Sequence, residues 1–135
     1  AVCAKFKKDN GLDYTEDQIV VSSGAKSSLY HAIEAIVEEG DEVLLPSPYW
    51  LTYPELIALA GGKTVYVPAG KENGYKVTAD DLRKACTPKT KCLIFNSPNN
   101  PTGVILNEQS LAAVKRAVGL SPAALRNRSK TPRAA

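Results

Sequence analysis

The chain has 135 residues, 44% hydrophobic and 23% charged, the balance of one ordinary globular domain rather than of a disordered chain. No apolar run approaches the roughly 20 residues that span a bilayer, and the net charge of +3 comes from the tail alone: from Gly119 onward Arg126, Arg128, Lys130 and Arg133 supply +4 with no acid, leaving the body at −1. That body gives no electrostatic reason to expect nucleic acid, and Cys3, Cys86 and Cys92, with His31 at no ligand spacing from a partner, predict reduced and mostly buried thiols rather than a disulfide framework or a metal site.

Residues 1–9 read as an amphipathic helix ended by Asp9-Asn10-Gly11. It is not a secretory signal, because Lys5, Lys7 and Lys8 follow the short apolar stretch instead of preceding it. The absence of methionine predicts a processed or excerpted chain. Ile19 to Ser23 is a short β-branched run and predicts the first strand. Residues 25–38 predict a helix with Leu29, Ala32, Ile33, Ile36 and Val37 on one face and Ser27, His31, Glu34 and Glu38 on the other, ended by Gly40 as a left-handed cap. Asp41 to Pro46 predicts a strand, and the unbroken Val43-Leu44-Leu45 suits burial on both faces.

Pro54 to Ala60 predicts a helix ended by Gly61-Gly62, and Thr64 to Val67 the third strand. Thr78 is the expected cap of a short helix with Asp80 and Asp81 in its first turn, where carboxylates meet the positive end of the dipole. Cys92 to Asn96 is the fourth strand, and Asn107 caps a last helix with Leu111, Val114 and Val118 on one stripe. Strands apolar on both sides, alternating with helices, predict an α/β fold with a mostly parallel sheet over residues 1–118. Residues 119–135, rich in Ala, Arg, Ser and Pro and without a period, form a basic tail expected to be disordered.

In such a sheet, ligands bind beyond the carboxyl ends of the strands, and three turns of this chain fall there. Ser22-Ser23-Gly24-Ala25-Lys26 joins a strand to a helix. Its small residues let backbone N–H groups approach a phosphate at the helix start, although a plain capped turn has the same composition. Pro46-Ser47-Pro48-Tyr49-Trp50 forces an abrupt turn with a cis bond expected at Ser47-Pro48. It delivers the only tryptophan to the strand end, where an indole either stacks on a flat heteroaromatic ring or packs under a loop. Asn96-Ser97-Pro98-Asn99-Asn100-Pro101-Thr102-Gly103 places two proline turns within six residues and points short amides at a fixed place, since Asn100 before Pro101 is disfavoured from helix.

Asp9-Asn10-Gly11-Leu12, the Ser-Gly-Ala-Lys turn, Pro48-Tyr49-Trp50 with Tyr53-Pro54-Glu55, and the Asn100-Pro101-Thr102-Gly103 run occur in an order that resembles the class I aminotransferases of the fold-type I pyridoxal-phosphate enzymes, most of all the aspartate/prephenate branch. The resemblance covers residues 1 to about 118, the N-terminal part of the large, cofactor-binding domain. It implies pyridoxal 5′-phosphate as cofactor, with Gly24, Ala25 and Lys26 at its phosphate and Trp50 stacked on its pyridine ring. Asn100 would bond the ring hydroxyl oxygen, Trp50 and Asn100 would face the substrate, and Pro48 and Pro101 would follow cis bonds.

The same resemblance implies transfer of an amino group between an amino acid such as aspartate and a 2-oxo acid, a homodimer, and a place in the cytoplasm or an organelle matrix. It also marks what the chain lacks. The Schiff-base lysine, the aspartate at the pyridinium nitrogen and the arginine for the substrate carboxylate have no counterpart. Lys26 already occupies the phosphate turn, and Arg128-Ser129-Lys130 lies in the unpatterned tail. The expectation is a chain that is inactive alone, with residual cofactor binding as the alternative. In the family topology the first strand sits beside the last, so Ile19 to Ser23 is expected to lose its neighbours.

Overall fold

The computed structural model of the chain describes residues 1–117. Among them, five α-helices flank a sheet of three parallel strands in the order β2-β1-β3. The elements are α1 (Val2–Asn10), α2 (Ala25–Glu34), β1 (Glu42–Ser47), α3 (Thr52–Leu59), β2 (Lys63–Pro68), α4 (Ala79–Ala85), β3 (Thr90–Leu93) and α5 (Glu108–Ala117). The α/β class and the parallel sheet are those the sequence predicts. No helix among the described residues is long and apolar enough to cross a membrane.

β1 is the centre of the molecule because its side chains are apolar on both faces. Leu44 packs on one side with Val67, Ala69, Val77, Leu82 and Val114, beneath α4 and α5. Val43 packs on the other with Ile33, Val37, Leu56 and Ile57, against α2 and α3. Each fully buried side chain of this size contributes about 1.5–3 kcal/mol of transfer free energy, and alternation along one strand serves both layers. Glu42 to Ser47 pair with Lys63 to Pro68 in continuous register, and a bulge between Glu42 and Val43 shifts the pairing with β3. At the end of α3, a Cβ added to Gly62 would lie 2.6 Å from Val37 Cγ1, so only glycine lets the chain turn into β2 that close to the core.

The helix signals act as their residues dictate. Thr78 Oγ1 accepts from the Asp81 backbone N–H at 3.2 Å, while Asp81 Oδ2 accepts from the Thr78 N–H at 3.0 Å, a reciprocal cap on α4. Asn107 Oδ1 accepts from the Ser110 N–H at 2.9 Å and caps α5. α3 begins at Thr52, two residues before Pro54. Proline fits there because first-turn N–H groups have no partner inside the helix.

Four expectations are corrected. Ile19 to Ser23 forms no strand. Ile19 is extended (φ −105°, ψ 124°), but no strand pairs with this run, and Val20 and Val21 are 82% and 85% exposed. β-branching supplies the extended backbone, whereas a strand also needs a neighbouring ladder, and the described residues provide none.

α2 ends at Glu34 rather than at residue 38. Asp41 Oδ2 accepts from the Glu38 N–H at 2.9 Å and holds a loose turn. Gly40 (φ 85°) closes that turn and not the helix. Val37 is still buried, but Ala32 and Ile36 are exposed on the face expected to be covered, and Ser27 on the polar face is half-buried. β3 is paired only over Thr90–Leu93. Beyond it Ile94 still donates to the Leu44 carbonyl at 3.0 Å before the chain leaves the sheet. The three thiols are free and half-buried rather than buried, and burial pushes the Cys92 thiol above its ordinary pKa, keeping it protonated. Val118 and the tail lie outside the described residues.

Candidate functional site

β1 and β3 run parallel, so their carboxyl ends deliver Ser47-Pro48-Tyr49-Trp50 and Asn96 to Gly103 to the same edge of the sheet. The start of α2 arrives beside them. Gly24 is its N-cap with φ 87° and ψ 166°, a conformation reserved for glycine, and it offers the first-turn amides no side-chain cap. A Cβ at Gly24 would meet nothing within 4 Å, so the backbone conformation, rather than crowding, requires the glycine.

Lys26 and Trp50, far apart in sequence, meet here. The Lys26 ammonium lies 5.2 Å from the centre of the Trp50 ring, within range of a cation–π attraction. Tyr53 meets the same indole edge-on, with centroids 5.6 Å apart and planes at 88°. Tyr49 turns away to stack on Tyr66 at 5.2 Å, and the hydrogen bond with Tyr66 raises the Tyr49 pKa above its ordinary value. Of the two aromatic residues after Pro48, Trp50 is therefore the one beside the helix start.

The third turn is held by its own amides. Asn96 Oδ1 accepts from the Asn100 N–H at 2.8 Å, and Ser97 Oγ accepts from the Leu106 N–H at 3.1 Å. Gly103 (φ 72°) closes the loop by donating to the Asn99 carbonyl at 2.7 Å. The bonds Ser47-Pro48 and Asn100-Pro101 are cis, as the resemblance implies, and Ser97-Pro98 is cis as well. Asn100 is exposed, held through its backbone N–H, and its own side chain makes no hydrogen bond among the described residues.

Three hollows adjoin these turns, one of them, of about 660 Å³, between α1 and the turn at residues 22–25. A cavity of about 30 Å³ lies between Pro46, Pro48, Val77, Asn96 and Asn99 and is a packing gap only. A groove of about 680 Å³ runs from Ala25 past Leu29, Ile33 and Tyr53 to Asn96, along the outer side of β3. Of the residues named from the sequence, Gly24, Ala25, Lys26 and Trp50 come together. Asn100 follows β3 at their edge of the sheet and makes no hydrogen bond to them among the described residues.

Sequence reasoning quoted Asn99 and Tyr53 within motifs but gave neither its contact in this arrangement. Asn99 Nδ2 donates to the Pro48 carbonyl at 3.3 Å, a contact between residues 51 apart that no local pattern announces. No group of His, Cys, Asp and Glu that could hold a metal exists among the described residues.

Comparison with known proteins gives a consistent picture. The chain is 50% identical over 114 residues to the aspartate/prephenate aminotransferase of Cereibacter sphaeroides, covering 84% of this chain and 28% of that one. It is 46% identical over 114 residues to the aspartate aminotransferase of Bacillus subtilis, covering 84% and 29%. The aspartate aminotransferase of Thermus thermophilus, solved with maleate, superposes with a TM-score of 0.82 at 41% identity over 87% of this chain and 31% of that one. The chain thus spans under a third of the length of these relatives. The family model for class I and II aminotransferases matches residues 1–120, and the chain belongs to that family.

Proposed function

We propose that this chain carries the phosphate-holding and ring-stacking part of a pyridoxal 5′-phosphate site and that alone it transfers no amino group. The observation that carries the reading is the meeting of Lys26 with Trp50 at the uncapped start of α2. The donor set suits the cofactor. Backbone amides at a helix N-terminus and an ammonium favour a phosphate, and an indole beside them favours a flat ring. Gly24 and Ala25 would present N–H groups to the phosphate and Lys26 its charge. Trp50 would stack on the ring, and Asn100 would donate to the ring hydroxyl oxygen and reach the substrate carboxylate.

Because the Lys26 ammonium now lies over the indole, a ring entering on that face would displace it toward the phosphate. The bound cofactor supplies the electron sink for amino-group chemistry. Drawing on that sink takes an amine to hold the cofactor and move the substrate proton, and a carboxylate to keep the ring nitrogen protonated. Neither has a counterpart in the matched residues. Lys26 is engaged with Trp50. In the whole protein the substrates would be an amino acid such as aspartate and a 2-oxo acid, and the partner a second subunit.

Pyridoxine 5′-phosphate, which has no aldehyde to label stray lysines, separates binding from chemistry. Isothermal titration should show saturable binding, weakened about three- to tenfold by Trp50→Ala and by Lys26→Ala. Absence of saturable binding, or equal affinity in all three proteins, would overturn the reading.

A further inference from the structure

We propose that Asn99 is a positioning residue whose side chain locks the turn bearing Trp50 onto the Asn-Pro turn, setting the indole for ring stacking. The stacking half of the proposal rests on the cofactor reading above; the lock itself does not. Asn99 has every polar atom engaged. Its Oδ1 accepts from the Thr102 N–H at 3.2 Å and from Thr102 Oγ1 at 2.8 Å, and its own backbone N–H donates to the Val104 carbonyl at 2.9 Å. These bonds belong to its own turn and fix the plane of the amide. The remaining arm, Nδ2, reaches across to the Pro48 carbonyl at 3.3 Å. Among the described residues it is the only side-chain hydrogen bond that joins the two turns.

Its target matters for Trp50. Proline has no N–H, so the carbonyl is the one backbone polar group that Pro48 can offer. That carbonyl belongs to the Pro48–Tyr49 peptide plane, and fixing the plane fixes where the chain leaves for Trp50. The indole is then met by Tyr53 from within α3 and by Lys26 from α2. A part-buried amide that satisfies one turn and donates to another couples two loops that the sheet alone brings only near each other.

The chemistry dictates a discriminating pair of variants. Asn99→Asp is isosteric and still accepts from Thr102, but its carboxylate cannot donate and sets an oxygen against the Pro48 carbonyl. Thr102→Val is also nearly isosteric. It removes both bonds of the hydroxyl, the one donated to Asn99 Oδ1 and the one accepted from the Val104 N–H, and leaves Nδ2 free to reach Pro48. Asn99→Ser is a third probe: its hydroxyl still serves the turn and is too short to reach across.

Trp50 is the only tryptophan, so its near-ultraviolet circular dichroism and emission report the state of this turn. In the ligand-free chain Asn99→Asp and Asn99→Ser should change both signals, and Thr102→Val should leave them as in the wild type. With pyridoxine 5′-phosphate, the two Asn99 variants should bind about tenfold more weakly and Thr102→Val within about twofold of wild type. Wild-type signal and affinity in the folded Asn99 variants, or an equal effect from Thr102→Val, would overturn the proposal. If the wild type fails to bind the probe, the cofactor reading falls, and the Trp50 signals still decide the lock.

Discussion

At Gly24 a single backbone conformation governs the candidate site. With φ 87° and ψ 166° it occupies a region essentially closed to other residues, and the space where a Cβ would stand is open. Gly24→Ala should therefore destabilise the chain by about 1–3 kcal/mol through backbone strain alone, without any clash. Urea unfolding checks this, and an unchanged midpoint would contradict it. Small residues at this turn carried the expectation of a phosphate seat, but the reason for the glycine was not legible, because a dihedral angle is not written in composition. Trp50 was legible as a ring delivered to a strand end. Its partners Lys26 and Tyr53 became visible only once α2 and α3 were placed around β1.

Some elements carry their signal locally and form where the sequence places it, and others need a neighbouring strand and fail without one. The cap on α4 belongs to the first kind. The Thr78 hydroxyl and N–H hydrogen bonds hold the Asp81 carboxyl below its ordinary pKa of 3.8. A depressed pKa stabilises above the unfolded value, and that contribution is lost as pH falls through the folded one. Thr78→Ala should cost about 1 kcal/mol at neutral pH. The gap between wild type and variant should narrow as the pH is lowered below 3.8, read by thermal unfolding across that range. A gap independent of pH would contradict the assignment.

The Ile19–Ser23 run is of the second kind. Its β-branched residues extend the chain, yet Val20 and Val21 face solvent while Val43 and Leu44 in β1 are fully enclosed. Native-state hydrogen exchange should reflect this, with slow amides across Glu42–Ser47 and fast ones at Val20 and Val21. Comparable protection in both would mean that a partner strand exists.

The described molecule is an open three-stranded sheet whose β3 edge borders an apolar groove, and the chain spans under a third of the length of its relatives. Unpaired strand edges and exposed valines favour association. Val21→Lys should lower self-association in sedimentation velocity and leave the unfolding midpoint within about 0.5 kcal/mol of wild type, as for an exposed site. The fold class and the order of the site turns were legible because buried strands and proline turns are written locally.

The central claim is that the matched residues bind the cofactor without using it. It is tested most directly by incubating the purified chain with pyridoxal 5′-phosphate, aspartate and 2-oxoglutarate, following oxaloacetate formation, and mapping pyridoxyl-lysine by mass spectrometry after borohydride reduction. The account predicts no turnover above free cofactor and labelling scattered below one per chain. Turnover that disappears with Lys26→Ala, accompanied by stoichiometric labelling of Lys26, would contradict it.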